Sequence, residues 1–202
     1  MTPRVQITVL DAGPFTMDRS GLMHGASGSI TVPSTVVLIE HERHGLILFD
    51  TGVNHRIADA DHAASHRGAG LREAYGATGF TREHAVDAQL ERLGHRCADV
   101  THVLYSHLHI DHAGGMEYFP DAVHVAQHDE LRHAWWPDRW TARGHALADY
   151  LPGRGFDFLE LTGDADLFED GSLGVIRLPG HTPGASGPHR RPPTARTDGV
   201  RR

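Results

Sequence analysis

The run Ser106-His107-Leu108-His109-Ile110-Asp111-His112-Ala113-Gly114-Gly115 decides how the rest of this 202-residue chain is read. Histidines two residues apart face one side only where the backbone is extended or looped; on a helix they would point about 200° apart. Residues 103–105 read as a short buried strand, so the motif sits at a strand end rather than on a helix. Leu108 and Ile110 then point back into the protein, while His107, His109 and Asp111 converge on one site. His112 enters just before Gly114-Gly115, where the backbone can turn sharply. Neutral imidazoles beside a carboxylate suit Zn²⁺ and similar divalent metals. Four such donors in six positions exceed what one tetrahedral ion easily takes from so short a loop, which points to two metals. The chain holds 18 histidines. Even at that content the pattern is expected by chance only about 0.02 times along the whole sequence.

Outward from the motif, residues 178–184, Leu-Pro-Gly-His-Thr-Pro-Gly, fix His181 in a turn framed by proline and glycine after an expected strand at 175–178. Upstream, residues 36–39 and 46–49 are β-branched and aliphatic runs joined by a polar turn, an expected hairpin that ends in Asp50-Thr51-Gly52. Residues 5–10 alternate as a first strand, and 123–126 and 156–161 read as further strands. Thr81 is a plausible helix N-cap, with Val86, Leu90 and Leu93 on one face and Gly94 at the C-terminal stop. A second helix is expected over 129–136, and 55–79 reads as a loop or short-helix region. The alternation of hairpins and helices gives an α/β (α+β) layer fold.

These motifs resemble those of the metallo-β-lactamase superfamily, and within it the wording is similar to the N-acyl homoserine lactone lactonases. The likeness rests on residues 46–52, 106–115, the Phe119-Pro120-Asp121-Ala122 that follows, and 178–184; it covers roughly residues 30 to 184. The resemblance implies an αββα sandwich with a dinuclear site at one edge. It places His107, His109 and His181 on one metal and Asp111 and His112 on the other, with zinc or another divalent ion in each place. It implies that a hydroxide between the metals attacks the lactone carbonyl and that Asp111 passes a proton to the leaving alkoxide. Asp50 is expected to support a ligand from behind rather than to bind metal. Other substrates compatible with such a site are a thioester, as in glyoxalase II-like enzymes, or a β-lactam. A reading of a different class is a non-catalytic chain holding at most one metal.

The balance of 19 basic and 26 acidic residues gives a net charge of −7 and argues against a general nucleic-acid binder; all the basic residues are arginine. One cysteine, Cys97, excludes a disulfide framework, and its neighbour Arg96 suggests at most a mild activation. No apolar run is long enough to cross a membrane, and residues 1–11 lack the apolar stretch of a secretory signal, so a cytoplasmic protein acting on a small molecule is expected. After Gly184 the character changes: residues 185–202 hold five arginines and three prolines. The expectation is an incomplete catalytic domain over 1–184 and a disordered Arg/Pro-rich tail over 185–202, arising from a frame change or early stop. In that tail His189 and Asp198 are the only candidates for ligands supplied later in the family's fold. Trp135, Trp136 and Trp140 are expected mainly in core packing, with a wall over an acyl chain as the alternative. His62, His66, His124 and His128 read as structural or surface histidines.

Overall fold

The computed structural model describes residues 3–59, 61, 79–139 and 142–189. Its frame is a six-stranded sheet in the order β1-β2-β3-β4-β5-β6, formed by β1 (Val5–Asp18), β2 (Ser29–His41), β3 (Gly45–Phe49), β4 (Val100–Leu104), β5 (Val123–Gln127) and β6 (Asp157–Leu161). The first three strands pair antiparallel and the last three join in parallel. A three-stranded antiparallel sheet, β7 (Ala165–Asp166), β8 (Gly174–Arg177) and β9 (Ser186–His189), completes the strands.

Alternation along the strands explains the layering. Leu38, Leu48, Val103 and Ala126 face one side, where they pack on Val86 and Leu90 of α1 (Val86–Arg92), Ala134 of α3 (His128–Trp135) and Tyr150 of α4 (Leu147–Tyr150). Ile39, Ile47, Leu104 and Val125 face the other side and meet Leu173 and Val175 of the small sheet. The described residues thus stack helices, large sheet and small sheet. On β1, Val5 packs at the margin of this layer, and Ile7 and Val9 stay 63% and 65% exposed.

The hairpin expected at 36–49 is β2–β3, turned at Gly45 with φ 77°. The helix expected after Thr81 begins at Val86, because residues 82–84 form a tighter turn first; Gly94 stops it with φ 82°. One expectation is corrected. Residues 185–189 are not an unstructured tail: Ser186–His189 pair with Gly174–Arg177, and Ser186 N–H also donates to Ser106 O at 2.9 Å. Pro188 fits because β9 is an edge of its sheet, where a missing N–H is tolerated. Residues 190–202, Asp198 among them, lie outside the described residues.

Candidate metal centre

The parallel strands deliver the site at their C-terminal ends, the usual place for ligands in open α/β sheets. Asp50 follows β3, His107 and His109 follow β4, and His181 sits on the β8–β9 connection. Extended backbone holds through His109, as expected from the two-residue spacing. It does not continue through Asp111. Residues Ile110–Ala113 form a helical turn, α2, in which His112 N–H and Ala113 N–H both donate to His109 O. That turn carries Asp111 and His112 beside the histidines, and Leu108 and Ile110 are each 1% exposed, as the pattern required.

Each of His107, His109 and His181 offers one ligand atom, and the three atoms lie within 4.8 Å of one another. The hydrogen bonds say which atoms these are. His107 Nδ1 bonds Ser106 Oγ at 2.9 Å, leaving Nε2 buried and without a partner. His109 Nδ1 faces His181 Nε2 at 3.1 Å. Burial, reinforced by the neighbouring imidazoles, pushes the pKa of His107 down to about 2 and that of His109 to about 3. Both rings are therefore held neutral, the state that ligates metal.

Beside the trio, His112 is clamped between carboxylates. Its Nδ1 donates to Asp50 Oδ2 at 2.8 Å, and its Nε2 lies 3.3 Å from Asp111 Oδ2. Burial alone would lower its pKa, but Asp50 and Asp111 outweigh this and push it up to about 10. Burial would raise Asp111; His112 outweighs it and holds that carboxyl below the usual range. Asp50 also accepts Ser106 N–H at 2.7 Å, so its carboxylate satisfies the exit of β4 and His112 rather than its own turn. It does this from left-handed backbone, φ 65°. The Asp50-Thr51-Gly52 turn interlocks with the second half of the motif: Thr51 N–H and Oγ–H donate to His112 O, Gly115 N–H donates to Thr51 Oγ, and Gly114 N–H donates to Gly52 O. A side chain at Gly114 would overlap the main chain of Gly52 and Asn54, and one at Gly52 would overlap Ala12 of β1.

Three further residues shape the site. Glu130, 1% exposed at the start of α3, bonds both loops that carry the histidine trio. Thr182 is one of its partners. His145 approaches the ring of His109 to 4.7 Å and bonds Leu108 O through Nδ1 at 3.2 Å. Nothing in the spacing of Glu130 or His145 ties them to the motif, and Thr182, although it stands beside His181 in the 178–184 turn, gives no sign there of its bond to Glu130.

The other candidates fall elsewhere. His189 pairs with Gly174 and lines a cleft with Asp164 and Asp166. Trp135 packs on the core, whereas Trp136 is 73% exposed, contrary to the expectation of core packing; both line a cavity of about 540 Å³ behind Leu108. Trp140, His62 and His66 lie outside the described residues. His124 is fully buried, donating to Phe119 O and bonded to Tyr105 Oη, while His128 pairs with Glu160. Burial pushes the Cys97 thiol up to about 11, so it is not activated by Arg96. No helix among the described residues is long and apolar enough to cross a membrane.

With this geometry in place, the class is defined. The sequence profile described as the metallo-beta-lactamase superfamily matches residues 30–190, and the chain belongs to that superfamily. Within it, the chain is 41% identical over 99 residues to the N-acyl homoserine lactonase AttM of Rhizobium radiobacter, a match spanning 48% of this chain and 38% of that protein. It is 27% identical over 175 residues to an N-acyl homoserine lactonase of Bacillus cereus, across 86% of this chain and 65% of the relative. A solved N-acyl homoserine lactone hydrolase, bearing its product N-hexanoyl-L-homoserine at the catalytic metal centre, superposes with a TM-score of 0.75 at 23% identity. That superposition covers 93% of this chain and 70% of the hydrolase.

Proposed function

We propose that this chain is a metal-dependent hydrolase that opens the lactone ring of N-acyl homoserine lactones. The observation that carries the proposal is the convergence of His107 Nε2, His109 Nδ1 and His181 Nε2, with a buried and unpartnered nitrogen among them. An imidazole nitrogen removed from water without a partner is costly, and a cation removes that cost. Three imidazole nitrogens with room for a fourth ligand suit catalytic zinc. In this reading His107, His109 and His181 would hold one ion, and Asp111 and His112, the donors beside them among the described residues, would hold a second. When bound, the ions supply a water activated at neutral pH and polarise the lactone carbonyl.

The chain's own groups do the rest. Asp50 accepts the Nδ1 proton of His112, which fixes the tautomer and leaves Nε2 facing the site. Asp111, an ionised carboxylate, would take up the proton that the attacking water gives up and pass it from Oδ2 to the ring oxygen as the ester C–O bond breaks, and that oxygen becomes the homoserine hydroxyl. The likeness to AttM over 99 residues favours a lactone over a thioester or β-lactam substrate. A cytoplasmic location belongs to the same proposal and rests on the sequence. The test is to load the protein with zinc, count bound equivalents, and offer N-hexanoyl homoserine lactone, a thioester and nitrocefin in parallel. Ring-opened acyl homoserine, lost in Asp111→Asn, is the expected result. Zinc binding without lactone turnover would overturn the activity and leave the non-catalytic reading.

A further inference from the structure

Glu130 is a carboxylate with 1% exposure, no ion-pair partner among the described residues, and two short hydrogen bonds. Its Oε1 accepts Leu108 N–H at 2.8 Å, and its Oε2 accepts Thr182 Oγ–H at 2.5 Å. Leu108 separates His107 from His109, and Thr182 follows His181. A single side chain thus grips both loops that supply the histidine trio, although they lie more than 70 residues apart in sequence, His109 and His181 being separated by 72. The backbone reinforces the grip: Gly184 sits so close to Glu130 that a Cβ there would overlap the Glu130 main chain. Beyond it, Ser186 N–H ties the returning strand to Ser106 O at 2.9 Å.

We infer that Glu130 is the positioning residue of the metal centre, a clasp that sets the distance between the His181 loop and the His107–His109 loop; this rests on the trio being a metal site, as proposed above. Its physical basis is that a carboxylate is acceptor-only and can take both donors at once without reorienting. An amide can accept only through its oxygen, so Glu130→Gln must offer an N–H₂ to one of the two partners. No step of the chemistry passes through Glu130. Outer partners of this kind typically change metal affinity by about 10–100-fold.

The experiment compares zinc affinity, by chelator competition, and the visible spectrum of the Co²⁺-loaded protein for the parent, Glu130→Gln, Thr182→Val and Thr182→Ser. Thermal melts of the metal-free forms run alongside. Glu130→Gln and Thr182→Val are expected to weaken zinc binding about tenfold or more and to alter the cobalt spectrum. Thr182→Ser, which keeps the hydroxyl, is expected to restore both. Metal-free melting points should move little between Thr182→Val and Thr182→Ser, which separates positioning from stability. Parent-like zinc affinity and spectra in both Glu130→Gln and Thr182→Val would overturn the inference. So would equal losses in Thr182→Ser and Thr182→Val. A parent that binds zinc yet opens no lactone would sink the proposed activity while leaving the clasp standing on its zinc affinities.

Discussion

Two histidine clusters lie at opposite ends of the same strands, and they differ in what their nitrogens are already doing. At the C-terminal ends, His107 keeps a buried Nε2 with no partner, and the nitrogens of His109 and His181 face each other. At the other end, in the β2–β3 turn, His41, His44 and Asp170 also bring possible ligand atoms within 4.8 Å of one another. There both nitrogens of His41 are committed. His41 Nδ1 accepts the backbone N–H of Arg43 at 3.1 Å and of His44 at 3.2 Å, so its proton is on Nε2, which donates to Ser172 Oγ at 2.8 Å. His44 stacks on Phe168 with ring centroids 3.6 Å apart. The first cluster keeps a nitrogen without a partner; the second fastens the hairpin turn to the loop between β7 and β8. Proximity of histidines is common to both, and the state of the lone pairs separates them.

The sharpest way to break this comparison is metal content. His107→Ala and His109→Ala are each expected to lower zinc affinity by on the order of 10³-fold, since a three-nitrogen site loses one of its ligands. His41→Ala should leave bound zinc unchanged. Inductively measured metal after dialysis decides it, and parent-like zinc in both His107 and His109 variants would refute the assignment.

Next in size is Asp111→Asn, which keeps the shape but removes both a ligand charge and the transferable proton. Lactone opening should fall by about 10²–10³-fold, within the range of general acid catalysis. Turnover within a few-fold of the parent would exclude that role.

Smaller again is the cost of unfastening the second cluster. His41→Ala leaves two backbone N–H groups and Ser172 without their partner, and should destabilise the fold by about 1–3 kcal/mol in urea unfolding. No change in the midpoint would mean the turn is held by other contacts.

The smallest effect is in pH, and it has opposite signs at the two ends. His112 is raised to about 10 in the folded metal-free protein. Its contribution to stability is therefore complete below its ordinary value near 6.5 and fades as pH rises toward 10. His41 is held below its ordinary value by burial, with His44 adding to it. Its contribution is complete above that value and fades as pH falls below it. Unfolding midpoints of the metal-free protein across pH should lose the alkaline slope in His112→Asn and the acid slope in His41→Phe; slopes unaltered in both variants would contradict the assignment.

How much of this was legible in sequence follows from where the signal resides. The loop with His107 and His109 was legible because a strand end and a two-residue period leave little freedom. The hairpin before Asp50 was equally plain in its β-branched runs. Asp111 and His112 were identified, but the helical turn that carries them was not, because four residues are too few to show a period. Strand β9, Ser-Gly-Pro-His, carries no apolar alternation; pairing with β8 imposes its conformation. Glu130 reads locally as an acidic residue in the first turn of a helix, and only tertiary contact reveals its two partners.

Asp50 has a consequence for which substitutions evolution could sample. Its backbone sits at φ 65°, a region that Asp and Asn enter at modest cost, Gly at none, and longer or branched side chains only with strain. The carboxylate must at the same time face Ser106 N–H and the His112 ring. Asparagine and glycine suit that backbone but lack the charge that faces the His112 ring. Glutamate can adopt it, as Glu169 does at φ 56°, but would carry its carboxylate one methylene beyond the place these two contacts fix.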